Sequence, residues 1–122
     1  MPGPPFVVVL SEEEIAALAD AAVQDLAQRL AHRAFRPLSA ESSHPDELAE
    51  SDALAHLHAL THVRRAVIRQ ENAAAERAVL AGADYPKLGQ ATNISRQGAR
   101  RRWPGLVTAA KTSRQPSDET DS

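Results

Sequence analysis

"YPKLGQATNISRQGARRRW", residues 85–103, decides how the rest of the chain is read. Pro86 suits the first turn of a helix that continues through "KLGQAT", Asn93 marks a tight turn, and Ser95 caps a second helix. Gly89 falls where two such helices must approach closely, and Asn93 tolerates the left-handed backbone that the turn requires. Ile94 is expected to plug the space between the helices. Ala99 and Trp103, four positions apart, share one face of the second helix and turn toward the first. Leu88, Ile94, Ala99 and Trp103 are therefore the expected core of this segment.

That core sends the remaining side chains outward. Arg96, Gln97, Arg100 and Arg101 fall on the face that a DNA major groove would meet, where Arg can hydrogen-bond guanine in bidentate fashion and Gln can do the same with adenine. Lys87, Ser95 and Arg102 are better placed for phosphates, Ser95 because the start of a helix attracts anions. The charge distribution agrees with this assignment. Residues 1–84 have a balance of −6, residues 85–114 carry seven Lys/Arg and no acid, and residues 115–122 add three acids, which together make the net −2. Nearly neutral on average, the chain concentrates its positive charge in one segment.

The same stretch resembles the helix-turn-helix of small Ala/Arg-rich actinobacterial DNA-binding proteins, whose pattern is an aromatic residue, a short "IGxALGIS" helix and "RQAARxRW". Ser95, Arg96, Gln97, Ala99, Arg100 and Trp103 carry the likeness. The resemblance implies that the second helix reads the major groove through Arg96, Gln97, Arg100 and Arg101. The chain departs from the pattern at Asn93, where the family has glycine, and at Gly98, where it has alanine. Glycine inside a helix costs about 1 kcal/mol relative to alanine.

Upstream, "SEEEIAALADAAVQDLAQRLAHRAF" opens with Ser11 as N-cap and Glu14 three residues later, a capping box with acids in the first turn. Ile15, Leu18, Ala22, Leu26 and Leu30 give that helix an apolar stripe, and Pro37 ends it. After a Ser/Pro-rich connector, Ser43 or Asp46 is expected to cap a long helix running to about Ala81, where "AGADYP" breaks it. Leu54, Leu57, Leu60, Val63, Val67 and Ile68 form its stripe, suited to an antiparallel pair with the first helix. "FVVVL", residues 6–10, is read either as a short strand pairing with a second copy or as an extended arm packed on the helices.

The expected architecture is all-α. Residues 1–45 hold the strand or arm, the first helix and the connector; residues 46–81 hold the long helix, for dimerisation and as the first helix of the DNA-reading unit. Residues 82–107 hold the helix-turn-helix, and residues 108–122 form a flexible tail. No cysteine is present, so disulfides and thiolate metal sites are excluded. His58 and His62 have a metal-compatible spacing, but no acid or third ligand accompanies them, and they are read as surface or interface histidines without a metal. No nucleophile motif, phosphate-binding glycine loop or apolar carboxylate pair is visible, so neither enzymatic activity nor a cofactor is expected. The chain also leaves no obvious room for a domain that binds a small-molecule effector.

No secretory signal or membrane-length apolar run stands out, and the chain is read as cytoplasmic, associated with the nucleoid when bound to DNA. These features point to a homodimeric, sequence-specific transcriptional regulator whose partner is double-stranded DNA. Two other classes fit the same residues: a helical protein–protein interaction module, and an architectural DNA-binding protein with no sequence preference.

Overall fold

The computed structural model describes residues 4–36 and 44–114. Those residues are all-α: α1 spans Glu12–Ala34, α2 Pro45–Leu80, α3 Tyr85–Thr92, α4 Arg96–Arg102 and α5 Leu106–Arg114. No helix among them is long and apolar enough to cross a membrane. Two compact units divide the chain, one formed by Val9–Ile68 and the other containing the chain from Arg69 onward, and α2 contributes to both.

In the first unit, α1 begins at the expected cap. Ser11 Oγ accepts the Glu14 N–H and the Glu14 carboxylate accepts the Ser11 N–H, each at 3.1 Å. Two donors that a helix start leaves unpaired are thereby satisfied reciprocally. The backbone hydrogen bond from Ser11, followed by that of its side chain, holds the Glu14 carboxyl below its ordinary value of 4.5. α2 starts at Pro45, a residue with no N–H to leave unpaired. Asp46 and Glu47 therefore lie in its first turn, and Glu47 accepts the His44 N–H at 3.3 Å. The alternative cap, Ser43, lies outside the described residues.

Packing in this unit is narrower than the leucine stripes predict. Ala27, Ala59 and Val63 are buried, with Leu30, Ala31, Phe35 and Leu60 packed around them. Alanine at 27 and 59, both without exposed surface, lets α1 and α2 approach closely. The His58 ring lies 5.3 Å from that of Phe35 and 4.9 Å, edge-on, from that of His62. Ile15, Leu18 and Leu26 on α1, and Leu54, Leu57, Val67 and Ile68 on α2, remain exposed, although each was expected in the helix–helix seam. Periodicity finds an apolar stripe, but one helix neighbour cannot cover a stripe that wide.

Residues 6–10 adopt no strand in the single chain, and all five are exposed. A strand needs a partner edge, and none is present among the described residues.

The second unit is built on the last turns of α2. That helix ends at Leu80, close to the expected Ala81, with Gly82 at φ 113°, the Ala83 N–H bonded to the Ala78 carbonyl at 2.9 Å and the Gly82 N–H to that of Val79 at 3.0 Å. This paired pattern closes a helix with a left-handed glycine. Ala75 and Val79 of α2, Tyr85 and Leu88 of α3, Ala99, Trp103, and Val107 and Ala110 of α5 form one buried cluster.

α5 corrects the expectation that a flexible tail begins at residue 108. After Pro104 and Gly105, which is at φ 74°, the chain re-enters a helix and buries Val107 and Ala110, three positions apart. The chain beyond Arg114 lies outside the described residues.

Candidate nucleic-acid interface

α3 and α4 are placed by their caps. Asp84 accepts the Lys87 N–H at 3.2 Å to start α3, with Pro86 in its first turn. Asn93 ends α3 at φ 59° and ψ 36°, the left-handed conformation, where asparagine is the usual alternative to glycine. Two residues later, Ser95 Oγ accepts the Gly98 N–H at 2.9 Å and starts α4. A reversal this short brings the two helices into direct contact. The point of closest approach is Gly89: a Cβ there would lie 2.6 Å from the Ile94 carbonyl oxygen and 3.2 Å from the carbonyl group of Ser95.

Trp103 anchors the far end of α4. Its ring is buried, its Nε1–H donates to Asn72 Oδ1 of α2 at 2.9 Å, and its carbonyl accepts the Tyr85 hydroxyl at 2.7 Å. That buried hydroxyl satisfies one of the carbonyls that the end of a helix leaves unpaired. α4 is thus tied to α3 at the turn and at Tyr85, and to α2 at Asn72.

Leu88, Ala99 and Trp103 are buried as expected, but Ile94 is not. It is 36% exposed, lying on the outside of the turn over the bare backbone of Gly98, where an added Cβ would come 3.5 Å from its own. Tyr85 takes the interior position instead. The local sequence pattern does not single out Tyr85, Asn72, Ala75 and Val79 as partners of α4, although 72, 75 and 79 recur at the three- and four-residue spacing that marks one helix face.

Arg96, Gln97, Arg100 and Arg101 are all exposed, and so are Lys87, Ser95 and Arg102. Three of the seven already have interactions within the protein. Ser95 serves as the cap. The Arg100 guanidinium lies 5.3 Å from the centre of the Tyr85 ring. Arg102 contacts Glu71 at 2.8 Å and lies 4.7 Å from the Trp103 ring, so its charge is drawn toward α2. Such attachments restrict long, flexible side chains before any ligand arrives. Chemically, the exposed face of α4 offers guanidinium forks and one carboxamide, groups that suit phosphate oxygens and the acceptor-rich edges of bases.

Comparison with family models, curated proteins and solved structures returns no match for this chain. The functional reading therefore stands on the arrangement of α3 and α4.

Proposed function

We propose that this chain is a dimeric, sequence-specific DNA-binding regulator in which α3 and α4 act as a helix-turn-helix and α4 enters the major groove. One observation carries the reading: a short helix buries Ala99 and Trp103 while presenting Arg96, Gln97, Arg100 and Arg101 from its exposed face. A merely solvated basic segment has no need of a cap at each end, a left-handed turn residue or a glycine at the crossing. In this reading Arg96, Gln97, Arg100 and Arg101 meet base edges, and Lys87 and Ser95 meet phosphates. Arg102 reaches phosphate only by exchanging its contact with Glu71. Dimerisation supplies two reading helices for two half-sites, and linking the half-site contacts raises affinity through effective concentration.

The test is a mobility-shift assay at two salt concentrations in the presence of random competitor duplex. Binding that survives competitor and weakens steeply with salt supports the regulator. Equal affinity for every duplex points instead to an architectural protein, and no binding at low salt leaves the helical interaction module.

A further inference from the structure

α2 carries a second apolar face that α1 does not use. Leu54 and Leu57, three residues apart, are 56% and 59% exposed, and Ile68, three turns beyond Leu57, is 46% exposed. Ala59 and Val63, which pack in the interior of the unit, lie on the far side of the same helix. The order of charges along the open face is informative. Glu47 and Glu50 precede the leucines, Thr61 follows them, and Arg64 and Arg65 come next. All four charged residues are exposed.

Such a face is complementary to itself when reversed. We infer that a second copy of this chain docks antiparallel on α2, about a two-fold axis near Leu57. Glu50 lies seven residues before Leu57 and Arg64 seven after it, so reversal sets Glu50 opposite the partner's Arg64. Glu50, five turns before Ile68, lies in line with the apolar stripe, and Arg64 lies at its Leu57 edge, about 40° away around the helix. Glu47 and Arg65 share the other flank, five turns apart, and the same reversal sets Glu47 opposite the partner's Arg65 within one residue of the same axis. Each pair occurs twice by symmetry, as a self-complementary interface requires. Leu57 meets its own counterpart at the axis, and Leu54 meets the partner's Thr61. Glu47 retains its helix cap, because its second carboxylate oxygen remains available.

A parallel arrangement would set acid beside acid and base beside base. The charge order therefore selects the antiparallel one. This interface deepens the dimeric reading above and rests on it only in requiring two copies.

The chain contains no cysteine, so one introduced thiol reports one position. Leu57→Cys, mildly oxidised without DNA, is expected to cross-link to a covalent dimer, whereas Asp52→Cys, on the side of α2 that faces α1, is not. In parallel, Glu47→Lys with Glu50→Lys makes the face wholly basic, and Arg64→Glu with Arg65→Glu makes it wholly acidic. Sedimentation should show dimerisation of each double variant weakened by roughly 100-fold. Mixing the two should restore a one-to-one heterodimer. These residues are exposed, so circular dichroism should match the parent.

A monomeric parent at tens of micromolar, cross-linking at Asp52 as fast as at Leu57, charge variants that still dimerise, or failure of the mixture to associate would each overturn the interface. A monomeric parent that still binds duplex overturns it while leaving the DNA-reading helix standing. A cross-linked dimer that ignores DNA does the reverse.

Discussion

Two glycines in the α3–α4 segment should respond in opposite directions to the same substitution. Replacing a helical glycine with alanine ordinarily stabilises by about 0.8–1 kcal/mol, through the reduced freedom of the unfolded chain and better helix propensity. At Gly89 the new methyl group would lie 2.6 Å from the Ile94 carbonyl oxygen and 3.2 Å from the Ser95 carbonyl carbon and oxygen. These are backbone atoms in a turn fixed by the left-handed Asn93 and the Ser95 cap, so relief requires the turn to open by most of an ångström. Overpacking of this kind costs about 1–3 kcal/mol, and rigid surroundings favour the upper end, which leaves Gly89→Ala about 2 kcal/mol less stable than the parent.

At Gly98 the nearest atom is the Ser95 hydroxyl oxygen at 3.2 Å, followed by Ile94 Cβ at 3.5 Å. A hydroxyl on a rotatable bond can yield a few tenths of an ångström. Gly98→Ala should therefore keep most of the ordinary gain, about 0.5 kcal/mol. Thermal unfolding followed by circular dichroism separates the two, since 1 kcal/mol moves the midpoint of a small domain by roughly 4–8 °C. Gly89→Ala should also bind DNA more weakly at temperatures where it remains folded, because an open turn re-aims α4. A Gly89→Ala protein as stable as the parent would refute the close crossing on which the placement of α4 depends.

Trp103→Ala should lose about 3–5 kcal/mol of stability, because it removes a buried ring together with the partner of Asn72, whereas Arg100→Ala should leave unfolding nearly unchanged and cost about 1–3 kcal/mol of binding at its cognate base. Paired unfolding and binding measurements on the two variants check this separation. Glu71→Gln removes the ion pair with Arg102 and one acid near α4; it should strengthen binding to all duplexes and steepen the salt dependence by about one phosphate contact, read from affinities across a salt series. Glu14 supports α1 in its charged form, and its folded pKa is depressed, so its contribution is present above the ordinary glutamate value and is lost as pH falls through the folded one. Helicity measured through that acidic window should titrate in the parent and lose this component in Glu14→Gln.

Local chemistry was the most legible part of the fold. Ser11 with Glu14, Pro86, Asn93 and Ser95 announce helix ends because caps are short-range hydrogen-bond devices, complete within a few residues. Tertiary partners were harder to read. The run "ENAAAERAVL" hides its role because Asn72 is polar and Ala75 small, and Val79 is a lone branched residue among alanines, yet the small Ala75 is what lets the α3–α4 pair close on α2. Tyr85 reads as a turn aromatic until its hydroxyl is seen to reach the Trp103 carbonyl, 18 residues away in sequence. α5 is hard to read because a Thr- and Lys-containing segment turns Val107 and Ala110 into the core while Thr108, Ala109, Lys111 and Thr112 stay exposed. In α1 and α2 the apolar stripes were visible, but a stripe does not specify its neighbour, and most of their large side chains stay exposed in one copy.

The central claim, that α4 reads DNA sequence, is tested most directly by selecting duplexes from a random pool with the 122-residue chain and sequencing the survivors. The account predicts convergence on a two-fold symmetric site, with half-sites separated by about one helical turn, 10 base pairs, or a multiple of it. Selection with Arg100→Ala or Gln97→Ala should relax individual positions within that site. A pool that stays random after repeated selection, or one whose consensus is unchanged by both substitutions, would contradict it.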